Sequence, residues 1–165
     1  HMLPIWAAVD EGVSALAAKD ARVRAMHRDY HPHADRIRAD LRHLGQPAPA
    51  ALPATARFES LVLSLAASPA IIGVWYVLEG SSNGGRYIAR AVSRALNLPG
   101  PEGLRGLDPH GEAQHERWGR WKADLDAQRW TPAERDAIIH AATQTFDHIY
   151  DMLGDIESAR PVSAS

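Results

Sequence analysis

Nowhere in this chain do Val, Ile and Thr alternate with polar residues over a run long enough to pleat into a strand, whereas apolar residues recur throughout at helical spacing. Phe58, Leu61, Val62 and Leu65 stand at i, i+3, i+4 and i+7. Ile138, Ala142, Thr145, Phe146, Ile149 and Leu153 form a second stripe nearer the C-terminus. Prolines and glycines fall at the junctions between such stripes, where they punctuate rather than interrupt. The chain therefore reads as all-α, one domain spanning residues 3–155 of 165. Residues 156–165, ending in SARPVSAS, are small and polar and are expected to form a disordered tail.

Six helices are expected. The first runs from Pro4 to Tyr30 and ends at His31-Pro32, because a residue before proline is pushed out of the helical region. The second covers His33 to Leu44, stopped by Gly45 and the loop QPAPAALP. The third covers Ala54 to Ala67. Ser68-Pro69 then supplies a cap and a first-turn proline for a fourth, which reaches Leu96. A fifth runs from Gly111 to Gln128. The last opens on the capping box Thr131-Pro132-Ala133-Glu134 and reaches Asp155.

Composition narrows the function classes. The net charge of −2 points to no nucleic-acid partner and no polybasic membrane contact. With no cysteine there is no disulfide, thiolate metal site or cysteine nucleophile. That suits a reducing compartment, and a cytoplasmic location is the expectation. No apolar run reaches the roughly 18 residues of a membrane span, and no basic stretch followed by an apolar one marks a secretory signal. The leading His1-Met2 reads as a cloning scar ahead of a native start.

The fourth helix holds the most informative segment. Residues 79–85 read EGSSNGG, with three glycines in the six residues 80–85, flanked by Ile71, Ile72, Val74, Trp75, Val77 and Leu78 before it and Tyr87, Ile88, Ala91 and Val92 after it. Each glycine costs about 1 kcal/mol against alanine in a helix interior, so a break or kink is expected. A helix apolar nearly all round is a central one, and glycine there lets something approach the backbone: another helix, or a flat ligand.

The run from Gly73 to Gly85, GVWYVLEGSSNGG, resembles the distal helix of the bacterial haem oxygenases that make biliverdin and are often found beside bacterial phytochromes. The family pattern is an aromatic, a small apolar residue, EGS, two variable positions and a final G-G or G-A. Ile37 to Gly45, IRADLRHLG, is similar to the family's RADLxxLG segment, and Trp118 to Asp126, WGRWKADLD, to a segment that starts in tryptophan and ends in Leu-Asp. Glu134, Ala142 and Phe146 of the last helix also fit, so the resemblance covers residues 3–155 in order.

The resemblance implies a haem-oxygenase-like helical fold and oxidative cleavage of haem to biliverdin with dioxygen and an electron donor. It places Gly80 and Gly84 over the haem as catalytic backbone, with Gly85 helping the bend. Ser81 stands where some relatives carry an aspartate that organises distal water. Arg86 and Arg90 could pair with the haem propionates, with Tyr87 near the ligand; a solvated charged face and a core aromatic are the alternatives. Glu79 is placed by the motif and is expected to bond an orphan backbone donor near the kink. The family's iron-ligating histidine lies on a helix well upstream of RADLxxLG, and only 37 residues precede Arg38 here. This implies that the proximal helix is absent, that the iron ligand is unassigned, and that a homodimer covers the surface left open. His27 and His31, at i and i+4, are the candidate metal ligands, against the alternative of a polar helix end. His110 and His115 read as surface residues, and His148 as a packed one. Two other functions follow from the same resemblance: a haem carrier without turnover, and a family member that binds no haem and acts through its dimer or a partner.

Overall fold

The computed structural model describes residues 1–159, and every regular element among them is helical. In chain order these are α1 (Met2–Ala17), α2 (Ala21–Met26), α3 (Ala34–His43), α4 (Pro53–Leu65), α5 (Ile71–Ala95), α6 (Gln114–Asp126), which a single 3-10 turn at Gly111–Ala113 precedes, and α7 (Pro132–Ser158). The expected first helix is two. Asp20 breaks it by accepting a hydrogen bond from the Arg22 amide (2.8 Å), an N-cap that starts α2. His27 ends α2 in extended conformation, so His27 and His31 do not share a helical face. At the other end, α7 continues through Ser158, so residues 156–158 of the expected tail are helical; residues 160–165 lie outside the described part.

Two helices take their caps from other helices. The Asp10 carboxylate on α1 accepts from the amides of both His33 and Ala34 (2.8 Å each), satisfying donors at the start of α3. Asp155 on α7 accepts from the Ala54 amide (2.7 Å) at the start of α4. The Thr131–Glu134 capping box forms as the sequence predicts, with Pro132 in the first turn. Glu134 also pairs with Arg22 (2.8 Å), tying the start of α7 to α2.

The core gathers around α5. Ile71, Ile72, Val74, Trp75 and Leu78 are buried among Ile5, Val9 and Val13 of α1, Phe58 and Val62 of α4 and Trp121 of α6. At about 25 cal/mol per Å² of apolar surface removed from water, this large-residue core outweighs the helix cost of the glycines. Accordingly α5 runs unbroken through EGSSNGG instead of breaking there. Two polar side chains in the segment bond carbonyls of their own helix: Ser81 Oγ donates to Leu78 O (2.6 Å) and Asn83 Nδ2 to Gly80 O (2.8 Å).

The glycines of α5 have different neighbours. A Cβ on Gly73 would collide with the α7 backbone at Ile138 and Ala142, so this glycine sets the close approach of the two helices. A Cβ on Gly85 would collide with the Leu107 carbonyl of the loop before α6. A Cβ on Gly80 would sit 3.3 Å from the Trp118 ring. Gly84 has nothing within 4 Å.

Candidate functional site

One carboxylate lies inside the apolar half of α5. Glu79 is 2 % exposed, and each of its oxygens meets a different imidazole: Oε2 lies 2.9 Å from His33 Nε2 and Oε1 lies 2.8 Å from His110 Nε2. His33 is fixed by the turn into α3, which Asp10 caps, and its ring stacks on Trp6 at 4.0 Å. His110 sits just before the 3-10 turn, and Arg117 on α6 donates to its Nδ1 at 3.0 Å. The Arg117 guanidinium in turn lies over the Tyr30 ring at 4.3 Å.

This network fixes proton positions. Arginine can only donate, so His110 Nδ1 is the acceptor and its Nε2–H points at Glu79. Burial pushes the Glu79 carboxyl up, but hydrogen bonds from His110 and His33 outweigh it and hold the group at about 2. The residue is therefore a buried carboxylate held by two imidazoles. Glu79 does not bond a backbone donor, and His110 is not at the surface, contrary to both expectations.

The same three side chains place ligand atoms within 4.8 Å of one another, a spacing a metal ion could use. The surroundings argue otherwise. A metal-bound imidazole donates its remaining N–H outward, whereas here the outward nitrogen of His110 accepts from a guanidinium. The set is organised for hydrogen bonding.

Two cavities flank the segment 104–109. One, of about 560 Å³, is an apolar cleft between α5 and α7 that reaches the start of α1. Leu78, Ser81 and Ile88 of α5 face Ile149, Met152 and Leu153 of α7 across it. Leu153 belongs to an exposed stripe of α7 that includes Ile139, Phe146 and Tyr150. The other cavity, of about 630 Å³, is lined by Arg36, Arg86, Arg90, Arg94, Arg105 and Arg117, with His110 in its wall. Gly106 and Leu107 belong to the apolar side, and Leu104, Arg105 and Asp108 to the arginine side.

The residues singled out from the sequence are thus distributed over the molecule. Ser81 and Gly85 line the apolar cleft. Gly84 is exposed and bare, one turn before Ile88. Gly80 is backed by Trp118, which stacks on the buried Trp121. Tyr87 is exposed. Arg86 and Arg90 project into the arginine cavity, away from the cleft. His31 is buried; its Nδ1 accepts from the Arg28 amide (3.0 Å), and its ring stands edge-on to Trp75 at 4.9 Å. Burial lowers its pKa to about 3, so it is neutral. His27 lies beside the same tryptophan, at 6.3 Å. His148 packs against Phe58, as expected. The buried Glu79 network was not found from sequence. Its one signal is a carboxylate in an otherwise apolar helix, which must find partners when buried.

The fold agrees with that of known proteins. The family model described as Heme oxygenase matches residues 21–155. A protein named heme oxygenase from Xanthomonas campestris pv. campestris (strain 8004) is 33 % identical over 132 residues, which are 80 % of this chain and 72 % of that protein. The crystal structure of heme oxygenase 2 from Chlamydomonas reinhardtii, solved without heme, superimposes with a TM-score of 0.82 at 19 % identity, over 99 % of this chain and 81 % of that one. The superposition establishes the all-α, single-domain fold. Together with the match over most of its length, it follows that this chain belongs to the heme oxygenase family.

Proposed function

We propose that the protein binds haem against the α5–α7 face and opens it oxidatively to biliverdin, with dioxygen and electrons from a separate donor. One observation carries this reading. Gly84 presents bare helix backbone beside an apolar cleft whose rim, Ile88 and Leu153, is exposed. A flat apolar ring needs a surface of this kind, because a side chain at residue 84 would hold it away from the helix. The cleft volume of about 560 Å³ lies within the range of cofactor-sized pockets.

In this reading the haem supplies the iron that activates dioxygen, and the chain supplies placement. Gly84 brings helix backbone close to the ring plane, while Gly80, one turn earlier, is covered by Trp118. Ile88 and Leu153 exclude water from its edge. Ser81 offers its oxygen lone pairs to a distal water. A homodimer, in which a second copy covers the Ile139–Tyr150 end of the α7 stripe, is the assembly expected, and light scattering reads it.

The test is a haemin titration followed in the Soret band, then ascorbate or a reductase system on the same sample. A saturating band that gives way to a biliverdin spectrum is the expected result. No saturable binding would sink the reading and leave the family member that binds no haem. A stable band without bilin would favour carriage without turnover. That second reading has one observation in its favour: the Ser81 hydroxyl proton is already committed to Leu78 O (2.6 Å).

A further inference from the structure

We infer that the arginine-lined cavity beyond residues 104–109 is a binding site for a compact polyanion of the oligophosphate or polycarboxylate class. Six of the chain's 18 lysine and arginine residues face this one cavity, in a chain whose net charge is −2. The single carboxylate among the lining residues, Asp108, accepts from the Gly111 amide through its Oδ1 (3.0 Å), and Glu102, outside the lining, pairs with Arg105 (3.1 Å).

The arrangement is unfavourable by itself. Arg86, Arg90 and Arg94 follow one another at i, i+4 and i+8 on α5, the spacing at which like charges repel along a helix. Acids of the same helix do not offset them. The nearest carboxylate to Arg86 is that of Glu112, at a long 3.4 Å and 95 % exposed. Among the described residues, no carboxylate lies within ion-pair distance of Arg90 or Arg94, and the Arg86 Nε is buried without a hydrogen-bond partner. Arg36 and Arg117 complete the cavity from the protein side. Arg36 is tied to the carbonyls of Pro32 and Tyr30, and Arg117 to His110, so these two are held in place before any ligand arrives.

Planar guanidiniums match the paired oxygens of phosphate and carboxylate groups. Several of them around one concave site suit a small molecule with several negative charges, which each monoanion would fill only in part. The cavity is concave and separated from the apolar cleft by the 104–109 segment, so the site does not depend on the haem reading. Arg117 also links it to Glu79 through His110, so an anion here adds to the field of the buried network.

Calorimetric titration of the haem-free protein with sodium tripolyphosphate tests the inference, with citrate as the carboxylate probe and inorganic phosphate as the monomeric control. The expected result is one saturable site for tripolyphosphate, weakened by added salt, with a rise in melting temperature as the site fills. Inorganic phosphate should bind about tenfold or more weakly. Citrate binding at the same site identifies the source as polycarboxylate, and its failure identifies phosphate; both support the site. The double substitution R90A/R94A removes two exposed side chains and should cut the affinity about tenfold or more while the protein melts no lower. Absence of saturable binding by both probes overturns the inference. So does binding that R90A/R94A leaves unchanged, or uptake of many ions per chain.

Discussion

On one side of residues 104–109, Leu78, Ile88 and Leu153 line a mostly apolar cleft in which Asp40 is the one carboxylate; on the other, six guanidiniums share the wall of a cavity with Ala89, Pro101 and Leu104. The two spaces share α5 as a wall and are kept apart by the seam where Gly85 meets Leu107. Along α5, successive residues rotate by one hundred degrees or so, so Ser81 and Ile88 look into one space while Arg86 and Arg90 look into the other. The lesson is that one helix carries two chemistries by phase alone. A motif quoted as a string, EGSSNGGR, mixes residues whose surroundings have nothing in common.

The sharpest way to break this arrangement is to remove the charge beneath it. Glu79→Ala leaves two buried imidazoles without their acceptor and is expected to cost about 3–5 kcal/mol in urea unfolding, the range for breaking a buried pair. The wild-type pH dependence follows from the same group. Its pKa is lowered on folding, so its contribution is present above the ordinary 4.5 and is lost as pH falls from there towards about 2. His31 acts earlier. It stays neutral in the folded state down to about 3, whereas the unfolded chain takes up its proton near 6.5. Stability therefore declines as pH falls from 6.5, and His31→Gln should flatten the slope between 6.5 and 4.5. A melting series against pH reads both windows.

Next in size is the seam itself. Gly85→Ala pushes a methyl into the Leu107 carbonyl, which as backbone has little room to yield. A loss of about 1–3 kcal/mol is expected. Gly84→Leu is its counterpart on the open side. With nothing within 4 Å, it should raise stability, by up to about 1 kcal/mol from helix propensity alone. In the haemin titration it should weaken binding about tenfold, roughly 1.4 kcal/mol. Equal effects of the two substitutions on stability would mean that Gly84 is packed and would remove the basis for placing a ring over it. The smallest effect concerns the separation of the cavities. Saturating tripolyphosphate should leave the haemin titration unmoved, and competition between the two would join what the structure keeps apart. Without ligand, R90A/R94A should gain about 0.5 kcal/mol by relieving repulsion along α5.

Periodicity carried the sequence reading furthest. The stripes at Phe58–Leu65 and Ile138–Leu153 became α4 and α7, and the capping box at Thr131 formed as written. The break between α1 and α2 escaped because no proline or glycine marks it; the signal was Asp20 as a cap ahead of Arg22. EGSSNGG raises the expectation of a break or kink within a helix that reaches Leu96; the helix continues because the burial of Trp75 and Leu78 outweighs local propensity. The Glu79 network was out of reach for a different reason. His33 and His110 lie 46 and 31 residues from it, and no local spacing rule joins them. The repeat of Arg86, Arg90 and Arg94 was visible in the string, but Arg36, Arg105 and Arg117 reach the same cavity only through the packing of α3, α6 and the loop.

The contact at Gly73 has a mechanical consequence. Helices α5 and α7 run in the same direction, pressed together where Gly73 meets Ile138 and Ala142 and parted where Ser81 and Ile88 face Ile149 and Leu153. They diverge like the arms of a pair of tongs from the contact at Gly73. Gly84 lies eleven residues along the arm, about 16 Å at helical rise. A difference of about 5° in the angle between the two helices at Gly73 therefore changes their separation at Gly84 by roughly 1.4 Å. The width of the cleft is set by the contact at Gly73, a residue that does not line it.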